Sequence, residues 1–265
     1  MSSSGEIPSS DGEGAFVQQW QAEVVQHHRL RDDTAVVRLI GGPVPFAVGQ
    51  HVEVGVPQAP GAWRRLSPAL PPSRDGKLEF HVRSVPGGQS SGAMVADTRP
   101  GDTWTIRDPR GDLAVDENGG DVVMIADGTG LAPMRALLLD LAARERQPKV
   151  FLFAADRTPQ DLYAADMLCL LVQQLPWLTV IPVVRSRDER HDPFYEHVRR
   201  ATELSSAATF APDDIVVGEP GEIVASYGAF VDQQVLVCGS PVMVGETVDL
   251  LLESGTPVEN IAYDA

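Results

Sequence analysis

The stretch Asp121 to Ala126 is a continuous apolar run that passes directly into Asp127-Gly128-Thr129-Gly130-Leu131-Ala132-Pro133 and then into a helical pattern carrying Leu137, Leu138 and Leu141. A strand that is apolar on both faces belongs inside a parallel sheet covered by helices. This junction therefore commits the second half of the chain to a doubly wound α/β layer. Two glycines at a strand-to-helix turn let the backbone approach a ligand closely. The helix start offers unpaired N–H groups and a positive dipole end to a phosphate. Pro133 fits the first turn, where its missing N–H costs nothing. Taken alone, such a turn is equally compatible with a tight connection that holds no ligand.

The same rhythm continues downstream. A helix is predicted over Leu131 to Arg146, a strand over Lys149 to Ala154, a helix over Pro159 to Gln174 and a strand over Leu178 to Val184. The strand Gln234 to Cys238, the helix Val242 to Ser254 and a short strand around Ile261 finish the chain. Ser186 to Glu222 carries no legible pattern. Upstream of Asn118-Gly119-Gly120 the pattern differs. Gln21–His27, Thr34–Ile40, His51–Val56, Lys77–Arg83 and Thr103–Arg107 read as short strands separated by Gly/Pro turns. Their spacing suggests a small antiparallel barrel, with one short helix, Gln89 to Ala96, after Pro86-Gly87-Gly88.

Composition narrows the partners. With 21 basic and 37 acidic residues the formal charge is −16, and a field of that sign repels polyanions. Nucleic acid and anionic membrane surfaces are therefore not expected partners. No apolar run approaches the ~20 residues that span a bilayer. Residues 1–14 form a Ser/Gly-rich acidic tail without the order of a signal peptide. Cys169 and Cys238 are the two cysteines, too few for a disulfide framework, so a cytoplasmic protein is expected. From Ala201 onward there are 11 acidic residues and no Lys or Arg. Such asymmetry fits either a solvated acidic face or a steering surface.

Three further sites stand out. Arg64-Arg65-Leu66-Ser67, between Trp63 and Pro68, sets paired guanidinium groups beside a hydroxyl, a combination suited to a phosphate or to blunting an exposed sheet edge. Gly87-Gly88-Gln89-Ser90-Ser91 is again Gly-rich before a helix, where a plain Ser cap is the simpler use. Cys238-Gly239-Ser240-Pro241 lies at the end of a buried strand, where ligands bind in open α/β sheets, although most free cysteines are merely small buried hydrophobes.

The order and spacing of these sites resemble the ferredoxin–NADP⁺ reductase superfamily, especially the reductase half of flavohaemoglobins and the reductases of bacterial oxygenases. Arg64-x-Leu66-Ser67 is similar to the family's Arg-x-Tyr-Ser flavin motif, and Gly88-x-x-Ser91 to its Gly-x-x-Ser pyrophosphate motif. Gly128-Thr129-Gly130-x-Ala132-Pro133 and Cys238-Gly239-x-Pro241 resemble its nicotinamide motifs. Gly49-Gln50, Pro100-Gly101-Asp102, Asp161-Leu162-Tyr163 and Ile261-Ala262-Tyr263-Asp264 agree with it. The resemblance implies an antiparallel flavin-binding β-barrel over 15–117, followed by a parallel doubly wound NAD(P)-binding domain over 118–265. It implies FAD as cofactor and NADH or NADPH as hydride source.

Several roles follow from that resemblance. Arg64 binds the FAD pyrophosphate, assisted by Gly88, Gln89, Ser90 and Ser91 at the helix start. Leu66 packs on the isoalloxazine, Ser67 hydrogen-bonds the flavin N5 region, and Cys238, with Gly239, Pro241 and Asp264 near it, positions the nicotinamide. Asp156 closes the second strand of the nucleotide domain, where an acid meets the ribose 2′-OH. Arg185-Ser186-Arg187 resembles the Ser-Arg pair that grips a 2′-phosphate, and Arg157 serves either purpose. The balance favours NADH. The sequence departs from the family at three places. Leu66 stands where the family has Tyr, and Asp127 where relatives commonly have Gly. Ala265 ends the chain where relatives often carry one more aromatic. Asp127 must point away from the dinucleotide or take a proton or a cation. Without a preceding globin or a four-Cys run for an iron–sulfur cluster, the electron is expected to go to a separate redox or haem protein, to oxygen or to a small acceptor. An acidic acceptor protein would dock near Arg64, Arg65 and Arg83. A reductase fold kept as a binding module and a free-flavin reductase are the alternatives.

Overall fold

The computed structural model describes residues 18–187 and 215–265. Most of the stretch Ser186 to Glu222 therefore lies outside the described residues. Two compact units are present. One comprises the residues up to Asp112 together with Arg135–Asp140, the other Leu113–Met134 and Leu141–Ala265.

The first unit is an antiparallel sheet of six strands: β1 (Gln19–Arg29), β2 (Thr34–Gly41), β3 (His51–Gly55), β4 (Trp63–Leu66), β5 (Lys77–Arg83) and β6 (Thr103–Arg110). Their order is β4-β3-β6-β1-β2-β5. The two outermost strands approach each other just past β4, where Pro68 bridges to Phe80 and the Ala69 N–H donates to the Glu79 carbonyl at 2.8 Å. Alternation places Val37, Leu39, Val52, Val54, Phe80, Trp104 and Ile106 in one core, with the Phe80 and Trp104 rings 6.2 Å apart. Truncating either ring to Ala would cost about 3–5 kcal/mol. Strand β1 carries a bulge between Val24 and Gln26, so Val24 is fully buried while Val25 faces out. Helix α1 (Gln89–Ala96) packs Ala93, Met94 and Val95 on this core.

The second unit is a parallel sheet of β7 (Val122–Asp127), β8 (Val150–Asp156), β9 (Leu178–Val184), β10 (Val216–Val217), β11 (Gln234–Cys238) and β12 (Ile261–Asp264), in the order β10-β9-β8-β7-β11-β12. Helices α2 (Leu131–Ala142), α3 (Ala165–Gln174), α4 (Pro220–Ala225) and α5 (Pro241–Glu253) accompany it. Val123 and Ile125 of β7 and Phe153 and Ala155 of β8 pack on Val224 of α4 and Met243, Val244 and Leu251 of α5. The intervening Ala126 and Ala154 face a recess with Leu131 of α2 and Leu168 of α3. One strand face thus meets each helix pair, as the unbroken apolar runs require.

Two helices are shorter than their sequence patterns. The helix expected over Leu131 to Arg146 ends at Ala142. There the Arg144 N–H closes a tight turn on the Leu141 carbonyl (3.1 Å) and its guanidinium donates to the Val115 carbonyl (3.3 Å), turning the chain away. The helix expected over Pro159 to Gln174 is a single 3₁₀ turn, Pro159–Asp161, followed by α3. Asp161 accepts from the Thr158 hydroxyl (2.8 Å) and from Arg157 (3.2 Å). Leu162 is not helical (φ −69°, ψ 70°), which breaks the run. Among the described residues no helix is long and apolar enough to cross a membrane.

Candidate functional site

In the first unit, Arg64 and Arg65 are exposed on the edge strand β4, and Leu66 rests half-buried against the core. Ser67 follows at once, also half-buried. Arg83 ends β5, with its Nε on the Thr34 hydroxyl at 3.4 Å. Glycine is needed at Gly87, whose φ is +77°. Gly88 caps α1 with no side-chain hydrogen bond, and the first turn carries no acidic residue. The helix start is therefore open to an anion.

The two serines there behave differently. The Ser91 Oγ accepts the Val85 N–H at 3.1 Å and so shapes the turn. The Ser90 hydroxyl is buried and has no hydrogen-bond partner. An orphaned buried hydroxyl at an uncapped helix start, in the unit that also carries an exposed arginine, fits a phosphate-bearing group such as the FAD pyrophosphate. The orphaned state of Ser90 could not be read from sequence, where the motif resemblance singles out Ser91 of the pair.

In the second unit the glycine turn and the cysteine loop lie together. Gly128 has φ +54° and opens a 3₁₀ turn, Gly128–Gly130, that leads into α2. A Cβ on Gly130 would overlap the Cys238 carbonyl oxygen, so only glycine allows this approach. Thr129, within the turn, is half-buried, and Pro133 is buried in the first helical turn. Cys238 ends β11, in register with Asp264 of β12. Burial, helped by the Asp264 charge, pushes its thiol well up, against a smaller opposing effect of the Gly239 N–H. A thiol held neutral serves for contact and positioning, not as a nucleophile. Ser240 caps α5 by accepting the Met243 N–H at 3.4 Å, and Pro241 takes the first helical position.

Asp156 ends β8 almost fully buried, and its carboxylate accepts the Arg157 N–H at 2.9 Å. It lines a small recess with Gly128, Leu131, Leu162 and Tyr163. Arg157 is exposed. The backbone after β9 is tied to this corner: the Arg185 N–H donates to the Asp156 carbonyl at 3.2 Å and the Ser186 N–H to that of Arg157 at 3.0 Å. Ser186 and Arg187 are exposed. Arg185 turns elsewhere, with Nη1 on Asp127 at 2.9 Å and Nε on Glu219 at 2.8 Å. Asp127 thus takes a cation, one of the outcomes its position demanded. The structure brings Gly128, Thr129, Gly130, Cys238, Gly239 and Asp264 into one corner, and Asp156, Arg157, Arg185 and Ser186 into a neighbouring one.

An antiparallel sheet unit with an anion-ready helix start, followed by a parallel sheet with a glycine turn at its crevice, defines the two-part fold of flavin- and nicotinamide-dependent reductases. The oxidoreductase FAD-binding domain family matches residues 21–114, and the oxidoreductase NAD-binding domain family matches residues 124–249. The chain belongs to the ferredoxin–NADP⁺ reductase superfamily. The xylene/toluene monooxygenase electron transfer component XylA of Pseudomonas putida is 35% identical over 167 residues, 62% of this chain and 47% of that protein. The phenol 2-monooxygenase reductase component DmpP of Pseudomonas sp. (strain CF600) is 28% identical over 212 residues, 80% of this chain and 55% of that one. The crystal structure of the Amycolatopsis cytochrome P450 reductase GcoB superposes with a TM-score of 0.77 at 26% identity, covering 96% of this chain and 72% of that one. The chain spans about half the length of the curated relatives it matches.

Proposed function

We propose that the chain is an FAD-dependent oxidoreductase of the cytoplasm that takes hydride from NADH and passes electrons to a separate acceptor. Bound FAD supplies the conversion, accepting hydride as a pair and releasing electrons singly. The observation that carries the reading is the orphaned Ser90 hydroxyl at an uncapped helix start, in a chain whose other half holds a glycine turn pressed on the Cys238 loop. Arg64 and Ser90 hold the FAD pyrophosphate, and Gly88 lets it come close. Gln89 flanks it, Leu66 covers the ring, and Ser67 donates to its N5 edge. Gly128, Thr129 and Gly130 receive the dinucleotide phosphates. Cys238, as a neutral thiol beside Gly239 and Pro241, fixes the nicotinamide and excludes water. The flavin domain is read as 15–117 and the nicotinamide domain as 118–265.

The preference for NADH rests on Asp156 at the end of β8 and on Arg185, whose Nε and Nη1 are already held by carboxylates. Arg187 is an exposed cation just after β9 of the kind a 2′-phosphate would need. The acceptor is read as an oxygenase component, a ferredoxin or another redox protein, because the relatives are named as reductase and electron transfer components of monooxygenases. Purification should give a yellow protein that keeps FAD through gel filtration. Mixing it with NADH without oxygen should bleach the flavin band, and ferricyanide should then sustain turnover. A protein that stays colourless after incubation with FAD would overturn the reading. Loss of FAD on the column would favour a free-flavin reductase, and absence of turnover a binding module. A kcat/KM tenfold higher for NADPH, about 1.4 kcal/mol, would reverse the choice of nicotinamide.

A further inference from the structure

We propose that Arg185 is a positioning residue whose charge cancels that of Asp127, and that this cancellation lets the Gly128–Gly130 turn accept a diphosphate. The inference rests on the dinucleotide-binding reading above. Asp127 is the last residue of β7, one position before the glycine turn. A Cβ on Gly239 would come within 2.8 Å of the Asp127 Cβ, so Asp127 sits between the two loops that receive the dinucleotide. Its side chain is only 15% exposed, so solvent screens it poorly. An uncompensated carboxylate there opposes the helix-start field that attracts phosphate.

The compensation is built into the fold. Sheet order sets β8 between β7 and β9, so Arg185, from beyond β9, reaches across the C-terminal edge of β8 to Asp127. Its backbone is pinned to the Asp156 carbonyl, and Glu219, the cap of α4, holds Nε at 2.8 Å. Two donors of one planar guanidinium thus engage carboxylates from two different elements, the end of β7 and the cap of α4, which fixes the plane. The guanidinium keeps its charge at any working pH. Glu219 is about half exposed, so solvent screens its charge more than that of Asp127. In the chain the two are 58 residues apart.

The experiment titrates NAD⁺, ADP-ribose and 2′,5′-ADP calorimetrically into the full chain, as wild type, Arg185→Ala, Arg185→Gln, Asp127→Asn and Asp127→Asn/Arg185→Ala. Arg185→Ala should weaken NAD⁺ and ADP-ribose tenfold or more, and equally. Asp127→Asn should bind at least as tightly as wild type, and the double variant should return to within about threefold of it. A structural strap predicts the opposite pattern: both single variants weaken binding and the double variant is worse, which overturns the proposal. An unchanged affinity in Arg185→Ala overturns it as well. A loss confined to 2′,5′-ADP makes Arg185 a direct 2′-phosphate ligand and also overturns it. Should Arg185→Ala fail to fold, Arg185→Gln, which removes the charge and keeps a donor, is read by the same criteria. Wild-type protein that binds neither NAD⁺ nor ADP-ribose overturns the functional reading and this inference together. Binding by wild type that Arg185→Ala leaves intact overturns this inference alone.

Discussion

At the scale of single residues, Ser90 and Ser91 show how one motif divides its labour. A buried hydroxyl without a partner costs about 1–3 kcal/mol, and Ser90 bears that cost at the start of α1. Ser91 spends its oxygen on the Val85 N–H and stabilises the turn itself. The two alanine variants should therefore move in opposite directions. Ser90→Ala should raise the melting temperature of the FAD-free protein by a few degrees and weaken FAD binding about tenfold, the 1.4 kcal/mol of one good hydrogen bond. Ser91→Ala should lower the same melting temperature. Scanning the apoprotein with and without FAD, beside a fluorescence titration of FAD, reads both quantities. If Ser90→Ala melts earlier and binds FAD normally, its hydroxyl belongs to packing and the pyrophosphate site lies elsewhere.

At the scale of elements, the strand–turn–helix of β7 and α2 was the most legible part of the chain, because a buried parallel strand and a helix start leave opposite marks on the sequence. Strands β5, β9 and β11 and helix α1 also matched their patterns, with Gly76 before β5, Pro176 ahead of β9, Gly239 after β11 and Gly88 before α1 as punctuation. The two overlong helix expectations failed for a reason periodicity cannot carry. The Arg144 bond to Val115 turns the chain away after α2, and the Asp161 bonds to Thr158 and Arg157 close a single turn before the backbone leaves the helical range at Leu162. The Asp127–Arg185–Glu219 group was half visible: Asp127 was expected to point away from the dinucleotide or to take a proton or a cation, and Arg185 stood out on other grounds, but only the order of the strands joins them. The glycine turn itself supports a direct test. A methyl on Gly130 must push against the Cys238 carbonyl, which is backbone and cannot swing aside. Gly130→Ala should therefore destabilise by about 1–3 kcal/mol and abolish NAD⁺ binding, while FAD binding, which depends on residues of the other unit, persists. Calorimetry with both ligands on the same preparation checks this, and NAD⁺ bound with wild-type affinity would count against the close approach.

At the scale of the whole molecule, the formal charge of −16 sets one trend with pH and a single buried cluster sets the other. Acidification neutralises surface carboxylates and relieves their mutual repulsion, which favours the compact state. The cluster opposes this. Glu79 is buried on β5, with Oε2 held by Arg38 at 2.6 Å and Oε1 by His81 and by Arg135, both at 3.1 Å. Burial alone would raise its pKa. Hydrogen bonds from His81 and Arg38 and the charges of Arg135 and His81 overcome that and hold it at about 2. Burial also drives the His81 pKa below its usual 6.5, assisted by the nearby Arg135 and Arg38 charges, although Glu79 pulls the other way. Both folded values lie below the unfolded ones, so the unfolded chain binds more protons over each interval and stability rises with pH there. The His81 contribution is present above pH 6.5 and is lost as pH falls from 6.5 through the depressed folded value. The Glu79 contribution is lost between 4.5 and about 2. Melting temperature should thus begin to fall below pH 6.5, well before carboxylates of ordinary pKa titrate. His81→Gln, which keeps a donor for Glu79 without a titrating ring, should flatten the curve between 6.5 and 4.5 and leave the decline below 4.5. Scanning calorimetry of both proteins across pH 3 to 8 decides it. Parallel curves would show that relief of surface repulsion, and not this cluster, governs how the molecule responds to acid.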